Sequence, residues 1–122
     1  MKQLVLVLGA GGQLGQAMAE RLGAQHAVVA RTRDELDVSD AAAVRAALTE
    51  ICPDVIVNCA ALTDVDRAES ELATAFAVNG TAPRILAEEA KVLDALLVHF
   101  SSDYVFDGKK GQPYTEADRP SP

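Results

Sequence analysis

A turn made almost entirely of glycine and small side chains, Gly9-Ala10-Gly11-Gly12-Gln13-Leu14-Gly15, separates a five-residue aliphatic run from an amphipathic segment. The run, Leu4 to Leu8, contains no polar residue, which is the pattern of a parallel strand covered on both faces. Beyond Gly12 the apolar residues Leu14, Met18 and Leu22 recur every four positions, the stripe of a helix, and Gly23 stands where a left-handed cap would close it. The chain is thereby committed to a strand, a tight turn and a helix. Glycines at positions 9, 12 and 15 have separate uses there. They permit the tight bend, let main-chain N–H groups come close to a diphosphate, and let the helix pack against the strand. The helix start adds positive dipole charge. A glycine turn alone can serve mere geometry, but set between a buried strand and an amphipathic helix it points to a dinucleotide.

Strands and helices alternate through the rest of the chain. His26 to Ala30 reads as a second strand, followed by Arg31-Thr32-Arg33-Asp34-Glu35, which is too polar to bury. Ser39 is placed to cap a helix with the stripe Val44, Ala47, Leu48 and Ile51, ended by Pro53. Asp54 to Val57 starts a third strand. Thr63 with Asp66 has the shape of a capping box opening a helix with Leu72 and Phe76 on one face. Pro83 calls for a break or restart near Asn79 before Leu86 and Ala90 continue the face. Ala95 to Phe100 is a fourth strand, and 107–122 is a loop rich in Gly, Pro and charge. This alternation implies right-handed crossovers and an α/β fold, a Rossmann-type parallel sheet with helices on both faces. The expected strand order, 3-2-1-4, leaves the fourth strand as an apolar edge open to self-association.

The candidate site lies at the carboxyl ends of these strands. The tip of the second strand, where a dinucleotide site holds the adenosine ribose, is Ala30-Arg31-Thr32-Arg33 with no acidic residue; two guanidiniums and a hydroxyl suit a 2′-phosphate and favour NADPH over NADH. Arg31 is the expected clamp. Asp37 and Val38 would flank the adenine, although Asp37 equally suits a turn. The small residues Cys59, Ala60 and Ala61 after strand three would let a cofactor lie on the backbone. Ser101, Ser102, Asp103 and Tyr104 follow strand four, where doubly wound folds place ligands. His99 reads as a hydrogen-bonded core histidine. Asp64, Asp66 and Glu69 read as helix-start carboxylates and not as metal ligands.

Composition excludes other classes. With 122 residues, 49% hydrophobic and 24% charged, one compact core is the limit. A net charge of −7 disfavours nucleic acid and anionic lipid. No apolar stretch approaches the roughly 20 residues of a membrane helix. Met1-Lys2-Gln3 runs into the first strand without a secretory signal, so a cytoplasmic location is expected. Cys52 and Cys59 have neither redox nor zinc spacing and are expected as buried free thiols. There is no hydrolase elbow and no phosphate-binding G-x-x-x-x-G-K-[ST].

With these motifs in order, the chain resembles the amino-terminal part of an extended short-chain dehydrogenase/reductase, most closely the dTDP-4-dehydrorhamnose reductase family. The resemblance rests on the glycine turn, Leu36-Asp37-Val38-Ser39-Asp40, the run Pro53 to Glu69, Val78-Asn79, Ser101-Ser102-Asp103-Tyr104-Val105-Phe106-Asp107-Gly108, and Pro113-Tyr114-Thr115-Glu116. It implies NADPH-dependent reduction of dTDP-4-dehydro-6-deoxy-L-mannose to dTDP-L-rhamnose. Gly9, Gly11, Gly12, Gln13, Leu14, Gly15, Asn79 and Ser101 would then serve the cofactor. Ser102 would be the hydroxyl member of a Ser/Thr-Tyr-Lys set, with Thr63, Val65, Asp103 and Tyr104 on the nucleotide-sugar side. One departure stands out. No Y-x-x-x-K occurs, since Tyr104 is followed four residues on by Gly108 and Tyr114 by Asp118. Residues 1–122 are therefore expected to form an incomplete cofactor domain without the carboxyl-terminal substrate lobe, and to be inactive alone. Two other readings are a non-catalytic NADP-binding subunit resembling the regulatory subunit of methionine adenosyltransferase, and another nucleotide-sugar reductase or epimerase.

Overall fold

The structure, a computed structural model, describes all residues from 1 to 122. Its elements are β1 (Leu4–Leu8), α1 (Gln13–Gly23), β2 (Ala27–Arg31), α2 (Ala41–Ile51), β3 (Val55–Asn58), α3 (Val65–Ser70), α4 (Leu72–Phe76), α5 (Ala82–Leu93) and β4 (Leu96–His99). All strands are parallel, with Leu4 beside Ala27, Val5 beside Val55 and Val57 beside Val98.

Burial explains why β1 and β3 read as unbroken aliphatic runs. Successive side chains of a strand point to opposite faces. Leu6, Leu8 and Ile56 pack with Val44 and Leu48 of α2 and Ile85 and Leu86 of α5. Val5, Val7, Val55 and Val57 form the other layer, covered by Met18, Ala19 and Leu22 of α1. Both faces of the central strands are dry, as the parallel arrangement requires.

The Rossmann-type architecture is as expected, but the order along the sheet is β2-β1-β3-β4 and not 3-2-1-4. Every residue of β3 is buried, while every residue of β2 is only half-buried, so β3 is an interior strand and β2 an edge. The segment beyond β2 forms no further strand there. It buries Leu36 and Val38 in the α2–α5 core, and α2 then carries the chain across to the far side of β1. The direction of winding reverses between β1 and β3, and this switch point is where open α/β sheets gather ligands.

Helix ends differ from expectation in instructive ways. Asp37 accepts both the N–H and the hydroxyl of Ser39, at 2.9 and 2.6 Å, so Asp40 caps α2 through Ala43 N–H. Asp64 likewise replaces Thr63 as cap of α3, accepting Arg67 N–H at 3.0 Å; a carboxylate is the stronger cap. Gly23 is the last residue of α1 and is followed by right-handed Ala24. The left-handed caps are Cys52 after α2 and Asp94 after α5. Cys52 is exposed there and Cys59 half-buried, so neither thiol is a core residue. Near Asn79 the helix does not break: Ala77–Thr81 widens into a π turn immediately before Pro83 in the first turn of α5.

β4 pairs only with β3, leaving Leu96 and Phe100 62% and 41% exposed. After it, Phe106 stacks on Tyr114 with ring centroids 4.3 Å apart, and the Tyr114 hydroxyl donates to Asp107 at 3.0 Å. Main-chain and phenol donors hold the Asp107 carboxyl below its usual range. No helix is long and apolar enough to cross a membrane.

Candidate functional site

The crevice begins where β1 ends. Gly9 has φ +68°, and a Cβ there would lie 2.6 Å from the main-chain nitrogen of Ala60. Main chain therefore rests on main chain across the switch point, an approach only glycine permits. Gly15 is buried in the first turn of α1, where a Cβ would strike the carbonyl of Gly9. The bend is braced by Ala10 N–H to Arg31 C=O, Gly12 N–H to Gly9 C=O, and the Gln16 amide to Gly11 C=O. The Gln13 and Leu14 amides, in the first turn of α1, have no acceptor in the protein. No acidic side chain occupies that turn, so its positive end is not neutralised from within the turn.

Two connected hollows open on this bend, sharing Gly12 and residues Cys59 to Leu62 as a common wall. The smaller, of about 220 Å³, takes Gly9, Gly11, Gly12, Cys59, Ala60 and Ala61 together with Asp37, Val38, Leu36 and Arg33. The larger, of about 1000 Å³, brings Gln13 and Leu14 opposite Thr63, Val65, Asn79, Ser101, Ser102, Asp103 and Tyr104. Of the residues expected at the site, Gly15 lies beneath the bend, and Arg31 and Thr32 line neither hollow. Arg31 turns its guanidinium back to the carbonyl of Ala30 at 3.2 Å. Arg33, two residues on, lines the smaller hollow instead.

The two walls are held by two amide side chains, Asn79 and Asn58. Asn79 forms a paired contact with the main chain of Leu62, accepting its N–H at 2.8 Å and donating to its C=O at 3.0 Å. The π turn that carries Asn79 thus fixes the exit of β3. Asn58 is the only buried polar side chain, 1% exposed, and reaches both Ala60 N–H and the ring of His99 at 3.2 Å. His99 is hydrogen-bonded, as expected, but exposed and facing the larger hollow, not in the core. An asparagine closing an aliphatic strand was the available signal for Asn58. Burial pushes the Cys59 thiol up, so it is a protonated wall residue. The Asp37 carboxyl is lowered, chiefly by the Ser39 hydroxyl and N–H and also by Arg33. Tyr104 adopts φ +54° and stands 88% exposed at the rim.

Such an arrangement can hold an elongated anion: free amides and a helix start at the middle, a cation and apolar residues at one end, and hydroxyls and an imidazole at the other. The chain is similar to known proteins. The family model described as RmlD substrate binding domain matches residues 1–122. The chain is 52% identical over 114 residues to a dTDP-4-dehydrorhamnose reductase of Streptomyces griseus, covering 91% of this chain and 37% of that protein. It is 45% identical to one from Burkholderia thailandensis, covering 97% and 40%. The crystal structure of dTDP-4-dehydrorhamnose reductase from Bacillus anthracis in complex with NADP superposes with a TM-score of 0.93 at 36% identity, covering 100% of this chain and 44% of that one. The chain thus spans about two fifths of the length of these relatives.

The close approach at the switch point predicts unequal costs for one substitution at two left-handed glycines. Gly108→Ala, with φ +74° and nothing within 4 Å, should cost about 1 kcal/mol. Gly9→Ala should cost at least about 3 kcal/mol in urea unfolding, because backbone must also move. Equal losses would contradict the main-chain contact.

Proposed function

The chain belongs to the RmlD substrate binding domain family, and from that membership we propose that it is the cofactor-binding part of an NADPH-dependent reductase acting on dTDP-4-dehydro-6-deoxy-L-mannose. The observation that carries this reading is the bare bend at β1, where a Cβ would fill the space beside Ala60 and two helix-start amides lack acceptors. Those residues fit a dinucleotide diphosphate. Gly11, Gly12, Gln13 and Leu14 would hold it. Arg33, with Leu36, Asp37 and Val38, would take the adenosine end, Arg33 being better placed than Arg31 for a 2′-phosphate. Cys59, Ala60 and Ala61 offer a flat wall, kept in place by Asn79 through Leu62.

NADPH, when bound, supplies a hydride to a carbonyl carbon. Ser102 would orient that carbonyl by donating its hydroxyl to the oxygen, with Ser101 beside it on the cofactor side. Thr63, Val65, Asp103 and Tyr104 would receive the nucleotide sugar across the larger hollow. Protonation of the new alkoxide needs an acid beyond Ser102, and these 122 residues hold no Y-x-x-x-K to supply it. Added to this chain with NADPH, the 4-keto sugar should give turnover at least about 10²-fold below an intact reductase; product formation at an ordinary rate would contradict the role assigned to the missing pair.

Cofactor choice is read by titration. Arg33→Ala should weaken NADPH about 10- to 100-fold, as expected for loss of a charge-assisted contact, and leave NADH within about twofold. Equal loss for both cofactors would remove the 2′-phosphate from the account. The open β4 edge, with Leu96 and Phe100 exposed, further favours pairing of this chain with a second copy. Light scattering should show dimers or larger species; a monodisperse monomer would contradict that pairing.

A further inference from the structure

Asn58 and His99 sit side by side in the register of β3 and β4, at the last residues of both strands. The Asn58 side chain is 1% exposed, so water is not available to complete its hydrogen bonds, and each polar atom depends on the protein. One atom faces the N–H of Ala60 at 3.2 Å. A main-chain N–H can only donate, so that atom is the carbonyl oxygen, and the orientation of the amide is settled by its neighbour. The other atom, the NH₂ nitrogen, then faces Nδ1 of His99 at 3.2 Å and can only donate to it. Nδ1 must therefore carry a lone pair. A neutral imidazole has one proton, which is left on Nε2.

We propose that Asn58 is a positioning residue that locks His99 as the Nε2–H tautomer, making the imidazole a fixed hydrogen-bond donor to an acceptor oxygen of whatever ligand fills the larger hollow, and not a base. The Nε2–H has no partner within the protein, and His99 shares its hollow with Ser101 and Ser102. The same two bonds tie the wall at Ala60 to the end of β4, so the cofactor side and the hydroxyl side of the crevice are set by one buried amide. The lock does not depend on the identity of the ligand, and its test needs none.

The test is long-range ¹H–¹⁵N correlation of the imidazole nitrogens in the full 122-residue chain at neutral pH, with a His26→Gln variant assigning the two rings. Native His99 should show an unprotonated Nδ1 and a protonated Nε2. Asn58→Asp places a carboxylate oxygen against Nδ1 and should move the proton onto Nδ1. Asn58→Leu, which offers neither donor nor acceptor, should give a mixture of tautomers. A protonated Nδ1 in the native chain would overturn the proposal whether or not either variant folds. So would a folded Asn58→Asp chain in which Nδ1 stays bare.

Discussion

The main chain leaving β1 packs directly on the main chain leaving β3, with Gly9 so close to Ala60 that no side chain fits between them. The rest of the site depends on this contact. It brings the bend to the point where the winding of the sheet reverses, and the crevice there is open because helices depart in opposite directions from the two adjacent strands. It also leaves the first turn of α1 facing that crevice with free amides and no acidic residue of its own. Gly15 completes the arrangement by letting α1 sit against the bend, which in turn places Met18 and Leu22 over the Val5, Val7, Val55 and Val57 layer. Core and site are thus built by the same few residues.

The crevice walls are then fixed by amide side chains. Asn79, presented by a π turn, holds Leu62; Asn58, buried at the end of β3, holds Ala60 and His99. A buried polar group must be satisfied, and satisfying Asn58 takes the Ala60 N–H on one side of the opening and the His99 ring on the other. That makes the walls rigid relative to the sheet, a condition for holding reacting groups at fixed separations. By contrast, Ser101, Ser102 and Tyr104 lie beyond β4 with exposed side chains, ahead of a loop that holds the Phe106–Tyr114 stack and the Asp107 contacts.

The amino-acid pattern made the fold class legible because burial on both faces leaves an unmistakable aliphatic run in β1 and β3, and because glycine at 9 and 15 has no substitute. Strand order was not legible. It depends on whether Leu36-Asp37-Val38 pairs as a strand or is absorbed into the core, and three residues with two buried apolar side chains fit either outcome until the packing of α2 and α5 is known. Helix caps slipped by a residue at Ser39 and Thr63 because neighbouring aspartates compete for the same N–H groups. In the site, Gly9, Gly11, Gly12, Gln13 and Leu14 of the bend and the three small residues after β3 line the hollows, whereas Arg31 was preferred to Arg33 and Asn58 was not singled out. An arginine two positions from another carries no local signal of which one faces a cavity, and the role of Asn58 exists only once β3 and β4 are side by side.

We propose that amides at the start of α1 grip a diphosphate at the β1–β3 switch point. A crystal structure of this chain grown with NADPH tests it directly. Diphosphate oxygens should lie at hydrogen-bond distance, about 2.7 to 3.2 Å, from the main-chain nitrogens of Gln13 and Leu14. A nucleotide bound elsewhere on the sheet, with those amides facing only solvent, would contradict it.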